Sequence, residues 1–267
     1  HFIEAQRLIR IASTSPEWGY KSRIEKPTTT TTVQEYAKDL KRRLETTLAN
    51  YAKVSQKLDQ TFPQRLLTES PASHSLDDLK MEMQNIEITR NKLKNIGILD
   101  RSESTQPDNP LQTYQLDSLQ GSQLSVMYVY ARDTKEKLSA LEEISERVEI
   151  LLAVLNKKFT NKTVSISREH GLVVTGKNGV TIPINALSSG EQHELVLLYD
   201  LLFKVNQNTL VLIDEPELSL HIIWQKSFMD DLFEIINVAH FDVLMATHSP
   251  FVVGEKSDLL VILSPEV

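Results

Sequence analysis

Two adjacent carboxylates, Asp214 and Glu215, close the apolar run at residues 210–213. In an open α/β sheet, ligands bind beyond the carboxyl ends of the strands. A carboxylate pair there suits nucleotide hydrolysis, because one acid can hold magnesium while the next activates water. The same pair, followed by Pro216, would also serve as a solvated acidic turn. Upstream, Leu187-Ser188-Ser189-Gly190-Glu191-Gln192 precedes an apolar helix. Ser188 with Glu191, or Ser189 with Gln192, can form a capping box. Free amides, two hydroxyls and a glycine that permits close approach can equally hold a phosphate. Downstream, Ala246-Thr247-His248-Ser249-Pro250 ends the next apolar run. His248 is either a structural histidine or a donor to a phosphate oxygen. On a parallel sheet it emerges on the same edge as Asp214 and Glu215.

The elements that must position these residues fall into three regions. Residues 1–32 open with a strand at 1–5. They then pass through Pro16, Gly19 and Pro27 into five threonines, Thr28 to Thr32, a loop or linker composition. Residues 33–158 read as helical. Val33, Tyr36, Leu40, Leu44, Leu48, Tyr51, Val54 and Leu58 recur at alternating threes and fours, which predicts a helix of about 26 residues. Leu76, Leu79, Met83, Ile86 and Leu93 repeat the stripe, and Leu138, Leu141, Val148, Leu152 and Leu155 predict one further helix. The region is either a helical lid or a short antiparallel coiled-coil arm inserted into an α/β domain. Residues 159–267 change period. Segments 163–168, 172–175 and 180–184, separated by turns, predict a small antiparallel unit. Helices at 190–203 and 224–238 alternate with buried strands at 209–213 and 241–246, and a last strand is expected at 259–263. Continuous apolar strands alternating with helices imply a parallel sheet covered on both faces.

Composition excludes several classes. With no cysteine among 267 residues, disulfides, thiolate metal sites and a cysteine nucleophile are impossible. No apolar run reaches the roughly 18 residues of a membrane helix, and no signal peptide is evident, so a cytoplasmic location without membrane partners is expected. The net charge is −7, and residues 187–267 carry 3 basic against 13 acidic side chains. That balance argues against nonspecific coating of nucleic acid. Lys38, Lys41, Arg42, Arg43, Lys53 and Lys57 on the first helix, with Lys80, Arg90, Lys92 and Lys94 on the second, form either a solvated face or a local nucleic-acid groove.

In order and spacing, the signature, the acidic strand about 20 residues later and the histidine strand about 30 beyond resemble the C-terminal half of an ABC-type ATPase head. Leu218-Ser219-Leu220-His221 resembles the D-loop of the branch holding SMC-like, RecF-like and OLD-like ATPases. The resemblance implies an α/β ABC-ATPase head: a mostly parallel sheet flanked by helices and a small antiparallel β unit, with an inserted helical or short coiled-coil arm. By resemblance, Asp214 would hold Mg2+ through water, Glu215 would be the general base and His248 the γ-phosphate sensor. Ser188, Ser189, Gly190, Glu191 and Gln192 would form the signature that grips ATP bound by the opposite subunit, with Ser219, Leu220 and His221 at the same dimer interface. ATP and magnesium are the implied cofactors, and a homodimer or higher oligomer the implied assembly. The P-loop string GxxxxGK[ST] does not occur; the one lysine directly after glycine, Lys177, lies in a predicted hairpin turn. The chain begins at His1 within a strand, and a P-loop is therefore expected upstream. Phe2-Ile3-Glu4-Ala5-Gln6-Arg7-Leu8, Phe62-Pro63-Gln64-Arg65-Leu66-Leu67 and Asp214-Glu215-Pro216-Glu217 look like ATPases of Septu-type and PARIS-type antiphage systems. No nuclease segment follows the last strand, so this likeness implies a separate effector, a nuclease or toxin, acting in trans. The alternatives are a RecF- or SMC-like DNA repair ATPase, for which nucleic acid is the partner, and a non-catalytic oligomeric scaffold.

Overall fold

The computed structural model describes residues 2–3, 9–10, 30–68, 75–100 and 121–262. Two compact units divide the chain. One comprises His1–Asp39, Ile150–Val164 and Leu172–Val267, and the other Leu40–Glu149 with Ser165–Gly171.

The first unit holds a parallel sheet in the order β1 (Phe2–Ile3), β7 (Leu210–Asp214), β8 (Asp242–Ala246). Phe2 lies opposite Leu212, and Asp214 opposite Ala246. The strand expected at the start of the chain is therefore part of the central sheet. Two threonines of the supposed linker pair as well: β3 (Thr30–Thr31) runs antiparallel to β2 (Ile9–Arg10). β-branched residues suit a pleated ladder, which a purely compositional reading as linker overlooks.

Strand β7 alternates strictly. Val211 and Ile213 are buried, while Leu210 and Leu212 are 53% and 39% exposed. On β8, Leu244 is 64% exposed. Among the described residues the sheet is thus covered on one face only, which corrects the expectation of two covered faces. The covering layer includes α5 (Ser189–Tyr199) and α7 (Phe228–Ala239). Phe228, Leu232, Ile235 and Ala239 make a single buried stripe on α7 at helical spacing. Each large side chain buried in this way contributes about 1.5–3 kcal/mol.

Other predicted elements break where local chemistry demands. α5 passes into a π-helical turn at Asp200–Lys204 rather than continuing as α-helix. The helix expected at 224–238 is two pieces, α6 (Ile222–Gln225) and α7. β4 (Lys162–Ser167), β5 (Gly171–Gly176) and β6 (Thr181–Ile182) form the antiparallel unit in that order. β6 stops short because Pro183 has no amide to donate and a 3-10 turn, Ile184–Ala186, follows. After α8 (Pro250–Val253) no strand forms at 259–262. Ser257–Leu259 is a 3-10 turn, closed by the Leu260 amide donating to the Ser257 carbonyl. Leu263 lies outside the described residues.

The second unit is helical. α1 (Thr32–Thr68) begins in the first unit and runs 37 residues, about 55 Å at 1.5 Å per residue. It is longer than its apolar stripe predicted, because it continues through Pro63. Proline inside a helix removes one backbone bond and crowds the preceding turn. Two residues on, the Arg65 guanidinium donates to the Leu58 carbonyl at 2.5 Å and pairs with Asp133. The single helix expected around residues 138–155 is two, α3 (Ser122–Ser139) and α4 (Glu142–Lys158). α3 is tied to α1 by Lys137–Asp59 at 2.7 Å and to α2 (Leu76–Asn95) by Lys135–Glu82 at 2.9 Å. Within this unit the helices are therefore cross-braced as a bundle. α2 is followed, after its cap Ile96, by Gly97, whose φ of +83° and position 2.9 Å from the Ile166 carbonyl (measured to an added Cβ) leave no room for a side chain.

Candidate active site

The ladder between β7 and β8 delivers the site. Its last register pair is Asp214 with Ala246, and one further bond extends it, the Glu215 amide donating to the Ala246 carbonyl at 2.9 Å. The residues just beyond both strands, Glu215 on one and Thr247-His248 on the other, therefore emerge side by side. Glu215 Oε1 lies 3.7 Å from His248 Nε2. The Glu215 side chain is 40% exposed and the imidazole 90% exposed. Asp214 falls on the exposed face of β7.

Glu215 has φ 44° and ψ 57°, the left-handed region. A glutamate there is strained by roughly 1–3 kcal/mol, and such strain clusters at functional sites. The strained geometry turns the chain sharply into the 3-10 turn Pro216–Ser219.

Glu217, to which the sequence analysis gave no role, is central to the same corner. Its Oε2 accepts the Thr247 hydroxyl at 2.8 Å and its Oε1 accepts the His248 amide at 2.8 Å. Burial pushes this carboxyl up, but its own amide, the Thr247 hydroxyl and the His248 and Ser249 amides outweigh that and leave it below the ordinary 4.5. Gln225 completes the frame. It donates to the Glu217 and Leu220 carbonyls, both at 3.3 Å, and accepts the Ser249 hydroxyl at 2.9 Å. The sequence signal for this network was present: an acid two residues past Glu215 across a proline turn, facing a threonine next to the histidine.

The signature residues divide in role. Ser188 and Glu191 form the capping box: the Ser188 amide donates to Glu191 Oε2 at 2.9 Å, and the Glu191 amide to Ser188 Oγ at 3.4 Å. Lys162 on β4 donates to both Glu191 oxygens, at 2.6 and 2.7 Å. Burial pushes the Glu191 carboxyl up, and Lys162 with the Ser188 amide and hydroxyl bring it below 4.5 overall. Gln192 is engaged with the Leu187 carbonyl at 2.7 Å. Ser189 and Gly190 remain at the helix N-terminus. Among the described residues no hydrogen bond or ion pair joins them to Asp214, Glu215 or His248. In the expected D-loop, Leu220 is buried, and His221 caps α6, its Nδ1 accepting the Ile223 amide at 3.4 Å.

Among the described residues no three His, Asp or Glu side chains converge as a metal cage. One exposed carboxylate, Asp214, fits magnesium differently: that ion keeps its waters and binds through one or two carboxylates together with substrate phosphates.

The first unit is a mixed α/β unit in which an acidic strand end faces a histidine loop. The chain belongs to the AAA ATPase domain family, whose model matches residues 4–253. No curated protein matches it. Among solved structures, one similar chain is the Smc head domain with an extended coiled coil, bound to the C-terminal domain of ScpA, from Pyrococcus furiosus. The identity is 15% over 83% of this chain, with a TM-score of 0.31. The alignment covers 50% of that chain, so this protein spans about half its length. No described helix is long and apolar enough to cross a membrane.

Proposed function

We propose that this chain is the signature-bearing portion of a magnesium-dependent ATPase of ABC type. Two such heads close on ATP and thereby control a separate effector, a nuclease or toxin, in an antiphage system. The observation that carries the reading is the approach of Glu215 to His248, 3.7 Å apart at the ends of adjacent parallel strands.

In this reading Glu215 takes a proton from the attacking water. Glu217 is not available for that role, because its two carboxylate oxygens hold the Thr247 hydroxyl and the His248 amide. The exposed His248 imidazole reaches the γ-phosphate and stabilises charge there as the bond breaks. Asp214 would hold magnesium through water, and the ion, when bound, would neutralise phosphate charge. Ser189 and Gly190 would contact the γ-phosphate of ATP held by the second copy. The fold itself does not require glycine at position 190: an added Cβ would meet only the Trp224 ring, at 3.9 Å. Helical glycine costs about 1 kcal/mol relative to alanine, so close approach by a ligand gives it a reason.

The test is Glu215→Gln in the whole protein. Turnover should fall about 100-fold or more, while ATP-dependent dimers persist longer than in the parent. Undiminished hydrolysis would remove Glu215 from the base role. Strong, salt-sensitive stimulation by DNA would move the reading to a repair ATPase, and co-purification of a nuclease or toxin would support defence.

A further inference from the structure

We propose that Glu217 is the positioning residue that aims His248, a clip between the acidic turn and the histidine turn. The proposal deepens the ATPase reading and rests on it only for its kinetic consequence. The geometry begins where the ladder ends. Past Ala246 no register pair fixes the chain, and His248 is the second residue beyond that point. Its imidazole is 90% exposed, so side-chain packing does not orient it; the backbone must. Glu217 supplies that backbone constraint. One carboxylate oxygen holds the Thr247 hydroxyl and the other holds the His248 amide, each at 2.8 Å. Thr247 Oγ1 in turn accepts the Ser249 amide at 3.0 Å, so three consecutive residues are organised around one carboxylate. Gln225 ties the Glu217 carbonyl at 3.3 Å to the Ser249 hydroxyl at 2.9 Å, closing the frame from behind.

The same arrangement links His248 to Glu215. Glu217 sits on the 3-10 turn that the left-handed Glu215 initiates, and the Leu218 amide donates back to the Glu215 carbonyl at 3.2 Å. A displacement of this turn would therefore carry base and sensor together. Charge-assisted bonds to backbone and hydroxyl are suited to the task, being shorter and roughly twice as strong as neutral ones. A positioning role makes a specific demand. Loosening the clip should lower turnover without loosening ATP, because His248 matters most as charge develops on the phosphate.

The experiment compares Glu217→Ala, Glu217→Gln and Thr247→Val in the whole protein, with two readouts. The first is amide hydrogen exchange at His248 by NMR without nucleotide, and the second is steady-state ATP hydrolysis. In Glu217→Ala the His248 amide should exchange at least about tenfold faster while amides of β7 keep their protection. Its kcat should fall about 10- to 100-fold, with the KM for ATP within about twofold. Glu217→Gln and Thr247→Val each keep part of the clip and should lie between parent and alanine variant; they decide the question if Glu217→Ala does not fold. Unchanged His248 exchange in the alanine variant would overturn the clip whatever the turnover. Faster exchange with unchanged kcat would overturn its catalytic purpose. A parent protein without any turnover would instead refute the ATPase reading, and exchange alone would then decide the clip.

Discussion

Glu191 performs three tasks with one carboxylate: it closes the capping box, receives Lys162 and fixes the first turn of α5. Because its pKa is lowered in the folded chain, the stability it contributes is present above the ordinary 4.5 and is lost as pH falls through the lower folded value. Glu191→Gln should therefore flatten the acid limb of the stability curve below about pH 4.5, read by urea unfolding across pH. Ser188→Ala, which removes the other half of the box, should cost about 1 kcal/mol at neutral pH in the same measurement. This box was legible in the sequence, since Ser-x-x-Glu before an apolar run is its signature. Lys162 was not legible as its partner, because 29 residues and a whole β unit separate them.

At the scale of elements, three helices meet on one buried cation. Lys158 at the end of α4 is 3% exposed, and pairs with Glu194 of α5 at 2.5 Å and Asp231 of α7 at 2.8 Å. Burial pushes the Glu194 carboxyl up; Lys158 opposes that and Asp231 adds to it. Lys158→Met should cost about 3–5 kcal/mol, because it removes the cation from buried Glu194 and leaves Asp231 to the Ser227 hydroxyl and Lys157. Denaturant unfolding of the single variant, and of Lys158→Met combined with Glu194→Leu and Asp231→Leu, would check this. The triple variant should recover much of the loss, since apolar packing can replace a buried ion group. Periodicity disclosed α4, α5 and α7 as helices, yet neither their breaks nor this junction. Helices break at Ala140 and at Ser227, and α1 continues past Pro63. An apolar stripe records which face is buried, not how far the backbone runs.

Across the whole molecule, the parallel pairing of the acidic and histidine strands was readable from apolar runs alternating with helices, while the strand order was not. Among the described residues, Phe2–Ile3, the acidic run and the histidine run make up the parallel sheet. The exposure of one sheet face among the described residues was not readable, because β7 carries leucine outward at 210 and 212 and so looks like a strand buried on both sides. The left-handed backbone of Glu215 has a consequence at this same scale. Asparagine or glycine tolerates that conformation better, so Glu215→Asn and Glu215→Gly should each raise the melting temperature by relieving part of the roughly 1–3 kcal/mol of strain, less in glycine's case for its greater freedom in the unfolded chain. A lower melting temperature in both would contradict this. If it holds, a library of variants sorted by cellular abundance would enrich replacements at position 215 while discarding the activity. Yield and the proposed function would then point in opposite directions, and abundance screens would flag the Glu215 corner as a site to change.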